Sequence, residues 1–306
     1  MPSLPPEARL TAAIIPARAR SVLRRLLVEQ RPSMQVQTPT PSHWPTDAVT
    51  VSCLGHASVL ISMFGTTLLT DPVLLDRVGV AVPGATVGPR RLTRPALDVA
   101  ALPQLDAVCV SHAHADHFDR ATLALLPKKS AELIVPIGCH DLISDLGFAR
   151  VQEIAVGGAL QVKDVTIRAV AVAHYGKRHA LDRRQRGYHG YLFESRGVRV
   201  FFGGDTAMHV FSDEVVGAGV DVAVFGIGAY DPYVWNHATP EHAWHMSRQL
   251  RARHFVPMHH STFVLSDEPV DEPLLRLLRV AGDEAHRVVG RRFGEAFTLP
   301  ADRASP

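Results

Sequence analysis

From residue 48 onward, apolar residues recur in short runs bounded by Gly, Pro, Asp or Ser, the pattern of strands rather than of long helices. Such runs fall at 49–54, 58–63, 67–70, 107–111, 131–135, 165–173, 190–194, 198–203, 222–226 and 254–258. Between some of them, apolar spacings of three and four predict helices over 120–126, 139–146, 240–250 and 272–280. The strands come in meanders with helices interspersed, not in strict β-α alternation. That order predicts an α/β (α+β) architecture in which two mixed sheets pack together with helices outside, over a doubly wound parallel sheet.

Upstream, 32–45 is rich in Pro, Thr and Ser and reads as a linker. The expected division is an N-terminal extension and linker, 1–47, followed by one folded domain, 48–300. Leu10, Ile14, Val22, Leu26 and Leu27 map to one face of a basic amphipathic helix with Arg18, Arg20, Arg24 and Arg25 nearby. Packing on the protein's own surface is the commoner fate of such a terminus, and peripheral membrane contact is the alternative. The apolar run 10–15 is too short to span a bilayer, and its positive charges mostly follow it, against an export signal.

A hydrophobic content of 46%, with 20% charged residues, provides apolar material for a large core. The net charge of +2, without a Lys/Arg block interleaved with aromatics, argues against a nucleic-acid partner. Cys53, Cys109 and Cys139 sit among apolar neighbours and cannot all pair, which predicts buried thiols in a reducing, cytoplasmic compartment. The 17 histidines change the picture. Most fall into tight groups: 112/114/117, 174/179/189, 237/242/245 and 254/259/260. Such grouping points to metal.

The densest group is Ser111-His112-Ala113-His114-Ala115-Asp116-His117, which begins where an apolar strand stops. Four ligand-type side chains, His112, His114, Asp116 and His117, converge within six residues, a set that suits Zn²⁺, with Mn²⁺ or Fe²⁺ as alternatives. One loop cannot close two metal shells. His174, Asp205 and His259 also follow the ends of apolar runs and supply the missing donors, and Gly203-Gly204 allows the backbone a close approach before Asp205. A run of Lys177, Arg178, Arg183, Arg184 and Arg186 after His174 is either a solvated loop or a clamp for an anionic substrate. Arg90-Arg91 poses the same choice.

The 111–117 motif and the order of the later donors resemble the signature of the metallo-β-lactamase superfamily. Within it, the chain is similar to N-acyl phosphatidylethanolamine-hydrolysing phospholipase D-like proteins. The matching stretches are Leu54-Gly55-His56-Ala57-Ser58-Val59-Leu60, Leu69-Thr70-Asp71-Pro72-Val73, Gly88-Pro89-Arg90-Arg91-Leu92, Phe202-Gly203-Gly204-Asp205-Thr206 and Ile227-Gly228-Ala229-Tyr230, with coverage of roughly 51–277. The resemblance implies an αββα sandwich and phosphodiester hydrolysis. It assigns His112, His114 and His174 to one divalent ion, Asp116, His117 and His259 to the other, and Asp205 to both. It implies a metal-bridging hydroxide as nucleophile, oriented by Asp116, with a small-molecule or phospholipid-like ester as substrate. His237 matches a histidine near the family's active site and is expected to donate to a non-bridging oxygen, or else to bond backbone at the start of the helix opened by Thr239-Pro240. His56 and Asp71 are expected behind the metal ligands, orienting them, or for His56 as a satisfied core group. The family's His-Trp-Gly-Thr-Phe is replaced here by His259-His260-Ser261-Thr262-Phe263, which makes His260 a further candidate beside the pocket.

Three rivals share these residues. A lactonase would use the same donors on a carboxylic ester. A di-iron oxidoreductase of this fold would carry a glutamate in the first motif, where this chain has His114, together with an attached flavin domain. A non-catalytic metal-binding protein would close the coordination shell.

Overall fold

The structure, a computed structural model, describes residues 34–299 apart from 83, 84, 129 and 180. The amphipathic pattern expected at 10–27 therefore lies outside the described residues. The elements run β1 (Val49–Gly55), β2 (Ser58–Met63), β3 (Thr66–Thr70), β4 (Val80–Val82), β5 (Ala85–Val87), β6 (Ala107–Cys109), α1 (Arg120–Leu125), β7 (Glu132–Pro136), β8 (Arg150–Ile154) and β9 (Ala159–Val162). They continue with β10 (Val165–Val170), β11 (Gly190–Ser195), β12 (Val198–Phe202), α2 (Asp213–Val216), β13 (Val222–Gly226), α3 (Pro240–Gln249), β14 (His254–Met258), α4 (Glu272–Ala281) and β15 (Phe297–Thr298). One sheet has the order β15-β1-β2-β3-β6-β7-β8 and the other β14-β13-β12-β11-β10-β9. Both are mixed, with parallel pairing at β3/β6/β7/β8 and at β12/β13/β14.

Strand periodicity explains the layering. Successive side chains of a strand point to opposite faces, and here both faces are covered. Val51, Val59, Ile61, Cys109 and Ile134 of the first sheet meet Ile167, Phe193, Phe202, Val224 and Val256 of the second in the central core. Their strand neighbours Leu60, Leu69, Val108 and Leu133 face outward onto Phe118, Leu123 and Leu126 beside α1. On the far side, Leu192, Phe201, Ala223 and Phe255 face outward onto Trp244, Met246 and Leu250 of the α3 region and Leu277 of α4. The result is the αββα sandwich. Among the described residues no helix is long and apolar enough to cross a membrane.

Several local expectations need correction. The segment 139–146 forms only a 3₁₀ turn at His140–Leu142: Glu153 accepts from the Cys139 and His140 amides at its start, but the backbone leaves the helical region at Ile143, with φ of −134°, and the turn stops there. The strand expected over 165–173 ends at Val170. β4, β5, β8, β9 and β15 were not anticipated; β8 and β9 belong to sheet edges and are largely exposed. The described part of the presumed linker packs against the sandwich, with Met34 and Val36 on the central core and the Gln37 amide donating to the Phe293 carbonyl.

Candidate metal centre

Loops leaving the strand ends meet at one edge of the sandwich. β3 delivers Asp71, β6 the 111–117 loop, β12 Asp205 and β14 His259, while the chain beyond β10 brings His174. At Gly204 a Cβ would stand 2.7 Å from Ser111 Cβ, so the glycine lets the Asp205 turn and the histidine loop touch. His56, Asp71 and His259 all hold left-handed backbones, with φ of +53°, +35° and +57°. Such conformations cost on the order of 1–3 kcal/mol each and persist where the surroundings enforce them, most often at functional sites.

The donors form two clusters. In the first, His112 Nε2 is 2.8 Å and His174 Nε2 is 3.2 Å from His114 Nδ1. In the second, His259 Nε2 is 3.1 Å from His117 Nε2 and 3.5 Å from Asp116 Oδ2. Asp205 stands between them: its Oδ2 is 3.8 Å from His112 Nε2, 3.9 Å from His174 Nε2 and 3.0 Å from His117 Nε2, and its Oδ1 is 3.4 Å from His259 Nε2. The ligand atoms of each cluster lie within 4.8 Å of one another. Ligands ~2.0–2.2 Å from a tetrahedral ion sit about 3.3 Å apart, so these separations fit a cation at each centre.

The far nitrogen of three of the rings is held. His112 Nδ1 lies 2.9 Å from Ser111 Oγ, His117 Nδ1 2.7 Å from Asp71 Oδ2, and His174 Nδ1 2.9 Å from the Asn236 carbonyl. Asp71 also accepts from the Ser111 amide and hydroxyl. This is the arrangement that fixes ring orientation and points the opposite nitrogen at a metal.

Electrostatics carry the same message. Burial, reinforced by neighbouring imidazoles, pushes His112 well below its ordinary range and His114 down to about 4. Burial opposes ionisation of Asp116 and Asp205, yet the charge of His117 holds both well below the usual carboxylate range. His117 is in turn raised, because these two carboxylates outweigh its own burial. Two anions, Asp205 buried and Asp116 half-buried, thus hold a proton on the imidazole between them, where a cation would serve instead. Asp205 Oδ2 is wholly buried, 3.0 Å from His117 Nε2 but without a well-aligned donor among the described residues. These residues fit a pair of divalent ions.

An open cleft of roughly 360 Å³ lies over the donors, lined by His114, Asp116, Asp205, His237, Tyr175 and Tyr233 among others. His237 Nδ1 is 3.6 Å from Asp205 Oδ2, and burial lowers its pKa to about 3. His56 is buried behind Asp116. His260 is not brought to the cleft: its Nδ1 meets Ser261 Oγ at 3.0 Å and its ring packs on Phe293. Arg178 lines the cleft, but its Nη1 donates to the carbonyls of Ala113 and Phe118, bracing the histidine loop from behind. Arg186 is turned to Asp182 and Asp141, and Arg184 to Asp141. Arg91 is buried and donates to the Val73 and Leu75 carbonyls. Residue-type reasoning overlooked Tyr175, Tyr233, Leu265 and the Asn236 carbonyl. Tyr175 alone had a signal, its place next to His174.

The family described as "Beta-lactamase superfamily domain" matches residues 66–260. An uncharacterized protein of Mycobacterium tuberculosis is 34% identical over 289 residues, covering 90% of this chain and 74% of the relative. The N-acyl-phosphatidylethanolamine-hydrolyzing phospholipase D 1 of Caenorhabditis elegans is 29% identical over 69% of this chain, which spans 63% of that protein. A possible metal-dependent hydrolase from Veillonella parvula has a TM-score of 0.65 at 19% identity, with 82% of this chain and all of that one aligned. Its likeness is one of fold. With this sandwich, these donor clusters and a family match over most of its length, the chain belongs to the metallo-β-lactamase superfamily and to its metal-dependent hydrolases.

Proposed function

We propose that the chain hydrolyses phosphodiesters, including phospholipid-like ones, at a dinuclear zinc centre. The observation that supports this most directly is the pair of donor clusters joined by Asp205 at the floor of an open cleft. His112, His114 and His174 would hold one ion, Asp116, His117 and His259 the other, and Asp205 would contribute to both. When bound, such a pair supplies Lewis acidity and makes a water acidic enough to act as nucleophile near neutral pH.

The chain's own residues do the rest. Asp116, partly exposed at the cleft floor, is placed to accept a hydrogen bond from an attacking water and orient it. His237 is held neutral by burial and so retains one N–H to donate to an oxygen of the substrate. Tyr175 and Tyr233 wall the cleft and exclude part of the solvent. The preference for phosphorus over carbon rests on the phospholipase relatives.

The test is turnover of bis(4-nitrophenyl) phosphate and of a panel of phospholipids and lactones by protein reconstituted with Zn²⁺. Phosphodiester turnover at least tenfold above lactone turnover is expected. Lactone turnover alone, or none on any ester at two bound ions, overturns the reading.

A further inference from the structure

Three segments around the mouth of the cleft carry large apolar side chains into solvent. Val80 and Val87, 67% and 61% exposed, are cross-strand partners on the β4/β5 ribbon. Leu181, 85% exposed, and half-buried Tyr175 belong to the loop that follows His174. Trp235, 63% exposed, and Val234 lie in the loop that leads to His237. The second and third loops line the cleft through Tyr175 and through Tyr233, Asn236 and His237. The ribbon joins them at its root, where Val78 packs with Val73 and Phe263 beside Leu265, which itself lines the cleft.

The ribbon is unusual in what it lacks. β4 and β5 pair with each other and with no other described strand. A two-stranded ribbon on its own is marginal in water, and an exposed valine pair adds nothing to it there. Its root is pinched: a Cβ on Gly79 would stand 2.2 Å from the Val87 carbonyl oxygen, and one on Gly88 2.0 Å from that of Val78. The two glycines allow the strands to leave the body of the protein as a narrow projection.

Charge is concentrated in two of the same segments. Segments 76–94 and 175–187 carry Arg77, Arg90, Arg91, Arg94, Lys177, Arg178, Arg183, Arg184 and Arg186 against Asp76 and Asp182. The whole chain has a net charge of only +2, so the remainder is net negative. Arg91 is buried, and Arg184 and Arg186 face Asp141 on a neighbouring turn. Arg77, Arg90, Arg94, Lys177 and Arg183 remain exposed in the two segments that carry Val80, Val87 and Leu181.

A rigid protein partner would have to match three separate projections around a concavity. A lipid headgroup layer deforms to meet all three, its phosphates complement the basic residues, and its apolar boundary accepts Val, Leu and Trp. We infer that the cleft face docks on an anionic phospholipid surface, with Val80, Val87, Leu181 and Trp235 entering the apolar boundary and the five exposed cations meeting headgroup phosphates. The inference stands whether or not the ester cleaved is a phosphodiester.

The test is sedimentation of the full chain, loaded with Zn²⁺, with vesicles of equal parts phosphatidylglycerol and phosphatidylcholine, and with vesicles of phosphatidylcholine alone. Binding to the anionic vesicles is expected, weakened by salt and about tenfold or more weaker without phosphatidylglycerol. The double variants Val80→Asp/Val87→Asp and Leu181→Asp/Trp235→Asp should each lose about tenfold or more, with unchanged circular dichroism and metal content. Equal binding to both vesicle types, or wild-type binding by both folded variants, overturns the inference and moves any lipid contact to another part of the chain. Concentration-dependent self-association that the variants abolish, without vesicle binding, overturns it in favour of a second copy of the chain.

Discussion

His56 Nε2 stands 3.2 Å from Asp116 Oδ2, the carboxylate oxygen that also faces His117 and His259. The His56 carbonyl accepts the His259 amide at 2.8 Å, and its own amide donates to Thr262 Oγ1. One residue therefore ties a donor from the first sheet's loop to a donor at the end of β14. Partners of this kind cost ~10–100-fold in metal affinity when removed. His56→Ala should weaken the second ion by that factor and leave the first, His112/His114/His174 cluster nearly untouched, as read by a two-step metal titration of the apo protein. Equal affinities in variant and wild type would leave His56 as a core group.

Metal content is the more basic expectation. Two ions per chain should be found after reconstitution, and chelation should abolish turnover and lower the melting temperature, since an ion bound only by the folded state adds to its stability. Asp205→Asn, which touches both clusters, should reduce both occupancies. Elemental analysis showing one ion per chain in the wild type at saturation would contradict the dinuclear centre.

Arg178 offers a choice between bracing and clamping. Its guanidinium holds the Ala113 and Phe118 carbonyls, so Arg178→Ala should destabilise the fold by about 1.5–3 kcal/mol, the range for hydrogen bonds made by charged groups. Turnover of an anionic phosphodiester and of a neutral aryl ester should fall by similar factors. A rise in KM confined to the anionic substrate would restore the clamp.

A pH effect follows from His189, buried with neither ring nitrogen bonded and pushed down to about 4 by burial. In the unfolded chain it titrates near 6.5, so between these values the unfolded state binds the extra proton. Stability is then full above about pH 6.5 and falls as pH drops, by on the order of 3 kcal/mol at pH 4 from this group. Denaturant titrations at pH 7 and pH 4.5 should show the loss, and His189→Phe should flatten it. An unchanged slope in the variant would place the sensitivity elsewhere.

Asp119 caps α1, accepting from the Ala121 and Thr122 amides and from Thr122 Oγ1. Asp119→Ala should cost ~0.5–2 kcal/mol in thermal denaturation. Because the capped helix directly follows the histidine loop, the loss should exceed that of an equivalent change at exposed Asp145.

The residues brought together at the site were readable because each follows the end of an apolar run: Ser111 after Val110, Asp205 after Phe202, His259 after Met258. Strand alternation likewise made the layers legible. What escaped has physical reasons. A main-chain acceptor such as the Asn236 carbonyl leaves no trace in residue type. The ribbon strands Val80–Val82 and Ala85–Val87 are three residues each, too short to show an alternation. Ile143 and Leu146 have helical spacing, yet the backbone leaves the helical region at Ile143 itself and the turn ends there. His260 is a further candidate on residue type alone, but left-handed backbones at His259 and Ser261 send its ring towards Phe293.

The distance along the chain between the donors has a kinetic meaning. His117 and His259 are 142 residues apart yet their Nε2 atoms nearly touch, so no hairpin or single sheet contains a competent site. Both sheets must be assembled and closed on each other before either cluster exists, and contacts of such separation form slowly and late. Ions added to a refolding reaction should therefore leave the early phases unchanged and appear only as a brake on unfolding. The centre acts as a latch on the finished sandwich rather than as a seed for it.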